Sequence, residues 1–331
     1  MRTLGARAMG FVVAGLLMTG GAWGQGKKTP KPGLVVLSKD ESRLLIVDPE
    51  TFNVVSYEQT GAYPHEVATS DDGKLAITTN YGAHADGDSL SVIDLNTMQE
   101  VGHVTYPGCH GPHGIVIQGN KAFFTNEGDK TVVEFDFVAN TLDQQIVEGQ
   151  KRPHMLVLTK DGKTIFVSNI ESNSVSVLTT KDGKSWDQSN VGTGKGPEGI
   201  DMSPDEKEVW AANSGDGTVS VIDVKKKKVV AKIDLQTKRS NRLKFTPDGK
   251  LVLISDMGSG ELVIVDAAAR KEVKRLPLGK SAEGILVQPD GARAFVAVSG
   301  DDKVAVVDLT KLEVTTTFPA GKDPDGLAWR K

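Results

Sequence analysis

A short motif recurs seven times along this chain of 331 residues, and its spacing constrains the fold more than any other feature. The motif alternates apolar and polar residues and usually ends in Asp. Successive copies end 42 to 46 residues apart, and a period of this length indicates repeated supersecondary units. The copies are RLLIVD at Arg43–Asp48, SLSVID at Ser89–Asp94, TVVEFD at Thr131–Asp136, SVSVLT at Ser174–Thr179, TVSVID at Thr218–Asp223, ELVIVD at Glu261–Asp266 and KVAVVD at Lys303–Asp308.

Each repeat contains four short segments with the alternation that is typical of half-buried strands. In Pro197–Leu235 the segments are GIDMS, EVWAAN, TVSVID and VVAKID, which we label A, B, C and D. Turn sequences such as SPDEK and TPDGK separate A from B, and Asp-Gly favours a tight turn between strands. Seven antiparallel units of four strands predict an all-β, seven-bladed β-propeller. A solenoid is the alternative, because stacked repeats show the same kind of period.

The two ends of the repeat region are each incomplete, and together they make one full unit. The first repeat begins with a B strand at Gly33–Ser38 and has no A strand before it. The chain ends with an A strand at Asp325–Lys331 that no B strand follows. We expect the last segment to become the innermost strand of blade 1, which closes the ring and removes open sheet edges. The propeller is therefore predicted over residues 33–331, after a flexible linker at 25–32.

The first 24 residues have the three-part pattern of a secretory signal peptide. Arg2 and Arg7 precede an apolar run over 9–18, and small residues lead to a cleavage site before Gln25. The run is shorter than the ~20 apolar residues that a membrane-spanning helix needs. We therefore expect export to the periplasm or the medium, with no stable membrane insertion; an uncleaved anchor is the alternative.

Composition and motif content argue against several functions and structural features. The formal net charge is −4, so the chain has no basic excess with which to bind nucleic acid. Cys109 is the only cysteine, so no internal disulfide forms and the fold must depend on packing. The sequence contains neither a Gly-x-Ser-x-Gly elbow nor a P-loop. We expect a monomer.

The repeats resemble those of the YVTN-repeat (YncE-like) exported β-propellers. The segment PEGIDMSPDEKEVWAANSGDGTVSVID at Pro197–Asp223 carries the resemblance most fully. The resemblance covers about residues 33–331 and implies the fold, but it says little about activity, because propellers host many functions. Strand B ends in the family's Asn at Asn80, Asn126, Asn169 and Asn213, and Asp256 and Val298 replace this Asn in the sixth and seventh blades. In the fourth blade Thr179 replaces the Asp that ends strand C.

Two weaker resemblances bear on function. The blade starts GPHG and RPH resemble those of lactonase-type propellers, which implies a hydrolase. A channel mouth rich in histidine is similar to that of copper-binding propellers such as nitrous oxide reductase, which implies a copper site.

One position of the repeat is predicted to line a mouth of the central channel. In a propeller the A strands surround the channel, so the residue just before each A strand forms a ring at one mouth. This position recurs every 41 to 48 residues and holds three His from adjacent blades, three carboxylates and one Asn. We predict a ligand-binding mouth formed by His65, His113, His154, Glu198, Asn241, Glu283 and Asp325.

Other potential metal ligands are predicted on the same face. Five of the six His residues and the sole cysteine fall there, and His103 falls on the outer rim. Neutral imidazoles and thiolates are ligands for Zn²⁺ and copper. A copper or zinc site would draw on His65, His113, His154, His110, Cys109 and His84. The alternative is a polar mouth that binds an organic ligand or no ligand.

These observations support three functional hypotheses. The first is an exported binding module that holds a protein or small molecule at the His-bearing mouth, without catalysis. The second is a Cu- or Zn-dependent redox or electron-transfer protein. The third is a lactonase-like hydrolase in which a mouth His or Glu acts as general base.

Overall fold

The computed structural model describes Thr29 and residues 31–84 and 86–331. The predicted signal peptide, residues 1–24, lies outside the described residues. In the described part of the chain, 28 strands form seven four-stranded antiparallel sheets, which confirms the seven-bladed propeller. No helix among the described residues is long and apolar enough to cross a membrane.

The strands follow one another from the channel outward in every blade except the first. Blade 1 holds β1 (Gly33–Ser38), β2 (Arg43–Val47), β3 (Val54–Gln59) and the last strand, β28 (Pro324–Arg330). Blade 2 holds β4 (Pro64–Thr69), β5 (Leu75–Asn80), β6 (Ser89–Asp94) and β7 (Gln99–Thr105). Blade 3 holds β8 (Pro112–Gln118), β9 (Lys121–Asn126), β10 (Thr131–Asp136) and β11 (Thr141–Val147). Blade 4 holds β12 (Pro153–Leu158), β13 (Thr164–Asn169), β14 (Ser174–Thr180) and β15 (Trp186–Gly192).

The remaining three blades repeat the same order. Blade 5 holds β16 (Pro197–Met202), β17 (Glu208–Asn213), β18 (Thr218–Asp223) and β19 (Lys228–Asp234). Blade 6 holds β20 (Ser240–Phe245), β21 (Leu251–Asp256), β22 (Glu261–Asp266) and β23 (Lys271–Pro277). Blade 7 holds β24 (Ala282–Val287), β25 (Arg293–Val298), a 3₁₀ turn (Ser299–Asp301), β26 (Lys303–Asp308) and β27 (Glu313–Pro319).

The hydrophobic core lies between neighbouring blades, where the two middle strands of each sheet are buried on both faces. Between blades 2 and 3, for example, Ile77 packs with Phe124 and Phe135. The outermost strands alternate between half-buried and exposed residues, as expected for a sheet with one solvated face. Each blade thus buries its faces only against its neighbours, so the stability of every blade depends on closure of the ring.

The C-terminal strand closes that ring. Strand β28 pairs antiparallel with β1, with Leu34 opposite Trp329 and Val35 opposite Ala328. This pairing confirms the predicted completion of blade 1. The strand begins at Pro324, one residue earlier than the sequence predicted.

Glycines at the third position of four inner strands let those strands approach closely. A Cβ atom at Gly326 would lie 2.5 Å from the carbonyl oxygen of His65, and one at Gly114 would lie 2.4 Å from that of His154. Since real Cβ atoms do not come so close to backbone, a larger residue there would push the strands apart. The other three blades carry Glu66, Met155 and Arg242 at this position, and two of these side chains are charged.

Candidate functional site

The seven predicted mouth residues are the second residue of each inner strand, not the residue before it. Each inner strand therefore begins before the mouth residue and not after it. The residue that precedes the mouth residue already pairs with strand B, as Pro64 does with Asn80. Contacts link most neighbours around the mouth: Asn241 Nδ2 donates to Glu198 Oε1 at 2.9 Å, and His65 Nδ1 lies 3.5 Å from Asp325 Oδ2. The sequence-predicted residues therefore share one mouth of the channel.

Three of these residues form what we call the histidine cluster: His65, His113 and His154. The ring centroids of His113 and His154 are 3.9 Å apart, and those of His65 and His113 are 4.8 Å apart. Among the described residues, four buried ring nitrogens have no hydrogen-bond partner: Nδ1 and Nε2 of His65, Nδ1 of His113 and Nε2 of His154. Buried polar atoms are nearly always paired in folded proteins, so such a concentration of unpaired nitrogens is unusual.

The environment keeps two of the imidazoles neutral. Burial lowers the pKa of His65 to about 3, although the nearby Asp325 carboxylate opposes the shift. Burial and the neighbouring histidines lower the pKa of His113 well below its usual range. A neutral imidazole offers a free lone pair, which is the form that binds a metal ion.

Glu127 fixes the orientation of His154. Its Oε1 lies 2.5 Å from His154 Nδ1, and its Oε2 accepts hydrogen bonds from the Tyr81 hydroxyl at 2.6 Å and from Arg152 Nε at 3.1 Å. Burial alone would raise the pKa of Glu127, but the hydrogen bond with His154, the charge of Arg152 and the hydrogen bond from Tyr81 lower it to about 2. An ionised Glu127 at Nδ1 places the proton of His154 on that nitrogen and leaves the lone pair on Nε2.

The donor atoms of three residues come near one another. Potential ligand atoms of His113, Glu127 and His154 all lie within 4.8 Å of each other, and all three residues are buried. Tyr81 packs against the histidine cluster, with its ring centroid 4.5 Å from that of His65 and 5.1 Å from that of His113. Among the described residues His113, Glu127 and His154 are the ones whose potential ligand atoms converge, and His65 is not one of them.

Charged residues fill the channel beside the cluster. Arg242 Nε donates to Glu66 Oε1 at 2.8 Å, and Lys39 Nζ lies 2.8 Å from Glu283 Oε2 and 3.4 Å from Asp325 Oδ2. Burial raises the pKa of both Glu66 and Glu283, against the opposing effect of these cations. Carboxylates outnumber cations in this part of the channel. The cations are Lys39, Arg152 and Arg242, and the carboxylates are those of Glu66, Glu127, Glu198, Glu283, Asp323 and Asp325.

The structure does not bring the remaining candidate ligands into the histidine cluster. His84 is exposed, and His110 is exposed and pairs with Asp129 at 3.0 Å. Cys109 is buried with its Sγ 3.8 Å from Asn126 Oδ1, and burial raises the pKa of its thiol to about 12. A neutral thiol is a poor metal ligand, because the thiolate is the binding form. His103 lies on the outer strand of blade 2 and pairs with Glu100, as predicted for the rim.

Several site residues were missed by the sequence analysis, although the repeat marks them. In three blades the residue immediately after the B strand is large and polar, and it contacts a mouth residue. Aligning the repeats at that column would have found Lys39, Tyr81 and Glu127. Glu66 and Arg242 were marked by the loss of the repeat's glycine.

These features define a seven-bladed propeller with a buried, histidine-bearing channel mouth. The chain belongs to the cytochrome D1 heme domain family, whose family model matches residues 117–292. A comparison with curated proteins finds no significant match.

The solved structures with the same fold include proteins that are named for different activities. Kuenenia stuttgartiensis hydrazine synthase is 21% identical with a TM-score of 0.67, and the match covers 80% of this chain and 89% of that one. The dihydro-heme d1 dehydrogenase NirN is 17% identical with a TM-score of 0.65, covering 94% and 78%. A putative 6-phosphogluconolactonase from Bacteroides uniformis is 17% identical with a TM-score of 0.77, covering 90% and 99%. At these identities the likeness shows the fold alone.

The family name implies a heme, so we tested whether the described residues fit one. A heme needs an axial ligand such as His with an open face beside it. Here the three imidazoles pack against one another and against Tyr63 and Tyr81, while the Glu66–Arg242 pair fills the channel. These contacts occupy the slot that a macrocycle would need. The described residues therefore do not fit a heme.

Proposed function

We propose that this protein is a metal-binding propeller, in which the histidine cluster takes up one transition metal ion such as Cu²⁺ or Zn²⁺. The observation that carries the proposal is the set of four buried ring nitrogens that have no hydrogen-bond partner in the part of the chain that the structure describes. Leaving buried polar groups unpaired is costly, at roughly 1–3 kcal/mol for each group. A metal ion would pair several of these nitrogens at once.

The chemistry of the surroundings supports a cation. Metal-ligating His residues commonly donate their second ring N–H to a carboxylate, and Glu127 stands in that position toward His154. The excess of buried carboxylates would also stabilise added positive charge. Imidazole ligands suit copper and zinc better than magnesium or calcium, which prefer oxygen ligands.

Three His ligands would leave one coordination position open. Such a site suits electron transfer or hydrolysis, or holds a small molecule at the metal. The site of action that we infer from residues 1–24 is the periplasm or the medium.

Elemental analysis of the tag-free protein over residues 25–331 tests the proposal. We expect one equivalent of copper or zinc in the parent protein after reconstitution and dialysis. The triple variant His65→Ala/His113→Ala/His154→Ala should bind none while retaining its β-sheet circular dichroism. The matched control is His84→Ala/His103→Ala/His110→Ala, which removes three exposed His and should bind as the parent does. Absence of metal in the reconstituted parent, or equal loss in the control, would overturn the proposal.

A further inference from the structure

A groove runs over the outer side of the histidine cluster. It encloses about 460 Å³ and is lined by Tyr81, Glu127, Gly128, Lys130, Lys151, Arg152 and Glu171. We call it the Arg152 groove. Glu127 and Tyr81 form part of its wall, and both contact the cluster on their other side. A molecule in the groove would therefore lie next to the proposed metal site.

The three cations of the groove have spare hydrogen-bonding capacity. Arg152 uses Nε to bind Glu127, and within the described residues no hydrogen bond uses its η nitrogens. In the same part of the chain, no ion pair or hydrogen bond involves the Nζ of Lys130 or Lys151. Both Arg152 and Lys151 are exposed. An Arg with free η nitrogens can bind a carboxylate or phosphate through two parallel hydrogen bonds.

The two acids of the groove do not cancel this charge. Glu127 already accepts hydrogen bonds from Tyr81 and Arg152 and is paired with His154, so its charge is compensated. Because that compensation uses the charge of Arg152, Glu171 remains as a single carboxylate against Lys130 and Lys151. The groove is thus positively charged on a protein whose net charge is −4.

The repeat extends the positive charge around the same mouth. The position of Lys151, two residues before each inner strand, holds lysine in five of the seven blades, and all five are exposed. A ring of positive charge raises the local concentration of anions and speeds their association. The ring residues are Lys151, Lys195, Lys238, Lys280 and Lys322, of which Lys322 pairs with Asp302.

We propose that the Arg152 groove binds the anionic end of a small ligand, a carboxylate or phosphate group, through Arg152, Lys130 and Lys151. The lysine ring attracts the ligand, and the groove holds it beside the histidine cluster. The groove consists of residues outside the histidine cluster, so this inference stands whether or not a metal binds.

Calorimetric titration of the metal-free protein with inorganic phosphate, and separately with succinate, tests the inference. We expect saturable binding of at least one anion by the parent. The variant Lys130→Gln/Lys151→Gln should weaken it about ten-fold, the loss expected for removing charge-assisted hydrogen bonds. The matched control Lys195→Gln/Lys238→Gln removes two equal charges from the ring but not from the groove, and its affinity should stay within about two-fold of the parent.

The outcomes separate the possible ligands and can overturn the inference. Binding of phosphate alone assigns a phosphorylated ligand, binding of succinate alone assigns a carboxylate, and binding of both assigns a general oxyanion site. No saturable binding of either anion, or equal weakening in the control, would contradict the proposal. The metal content of Lys130→Gln/Lys151→Gln, measured after reconstitution, should equal that of the parent, so failure of the groove and failure of the metal site are distinguishable.

Discussion

Arg242 of blade 6 pairs inside the channel with Glu66 of blade 2, with 2.8 Å between Nε and Oε1. The two residues lie 176 positions apart in the chain. Both replace a glycine of the repeat, and Arg242 is buried. The pair ties opposite sides of the propeller together and fills the channel next to the histidine cluster.

Breaking this pair from one side should destabilise the protein strongly. Arg242→Met leaves the Glu66 carboxylate buried without its cation, which costs about 3–5 kcal/mol of unfolding free energy. Replacing both residues, as Arg242→Met/Glu66→Leu, should recover most of that loss, because no buried charge is left unpaired. Urea unfolding of the parent, the single and the double variant measures both effects. A double variant no more stable than Arg242→Met would contradict this account.

Glu127→Gln should weaken metal binding without removing a proposed His ligand. The amide cannot hold the His154 proton on Nδ1 as an ionised carboxylate does, and loss of such a partner typically costs 10- to 100-fold in metal affinity. Competition with a chromophoric chelator measures the change. Asp129→Asn is the control, because Asp129 pairs with the exposed His110. Equal affinities of Glu127→Gln and the parent would mean that Glu127 does not act through His154.

Glu148 should make stability fall as pH rises. It is buried, and within the described residues neither of its carboxyl oxygens lies at hydrogen-bond distance and angle from a donor. Burial raises its pKa to about 7, more than the nearby Ser176 and Asn169 lower it. Its folded pKa lies above the unfolded value of 4.5, so its contribution is fully present below pH 4.5 and is lost as pH rises through 7.

Glu148→Gln, which mimics the protonated form, should therefore stabilise the protein at pH 8, by up to about 3 kcal/mol. At pH 4.5 the substitution should have little effect. Urea unfolding at both pH values measures the difference. The exposed Glu313→Gln is the control and should show no such dependence on pH. An equal effect of Glu148→Gln at both values would mean that Glu148 is ionised in the folded protein.

Removing residues 324–331 should destabilise the whole propeller. The deletion leaves β1 as an open inner edge and removes the Asp325 carboxylate that lies 3.4 Å from Lys39 Nζ. Because each blade packs only against its neighbours, loss at one blade weakens the others. We expect a large fall in the thermal midpoint or insoluble protein, whereas deletion of Lys331 alone should have little effect. An unchanged midpoint in the 324–331 deletion would show that closure is not needed.

Expression of the full chain in a Gram-negative host should yield processed protein in the periplasm. The pattern of residues 1–24 predicts cleavage before Gln25. Intact-mass measurement of the periplasmic fraction identifies the new N-terminus. Replacing apolar residues of the run by Asp, as in Val13→Asp/Leu16→Asp, should block export. Unprocessed protein in the cytoplasm of cells that make the parent would contradict the signal peptide.

Much of the architecture could be predicted because the same pattern of alternating residues and turns recurs seven times. Alternation and turn residues specify the strands, and the incomplete ends specify the closure at β28. The candidate site could be predicted only in part. The column that holds His65, His113 and His154 was predicted. An alignment of the repeats would also mark Glu127, but its role depends on the direction of one side chain between two blades, which the repeat does not specify.

By itself the sequence determined the number of blades and the strand order, since these follow from a period that short-range patterning sets. Only the tertiary structure decided which ligands meet. Cys109, His110 and His84 lie in the same loops as predicted, yet Cys109 is buried beside Asn126 and His110 turns to Asp129. The physical reason is that metal or ligand binding depends on distances of a few ångströms between side chains of different blades. Such distances are set by packing across the ring, which no single repeat encodes.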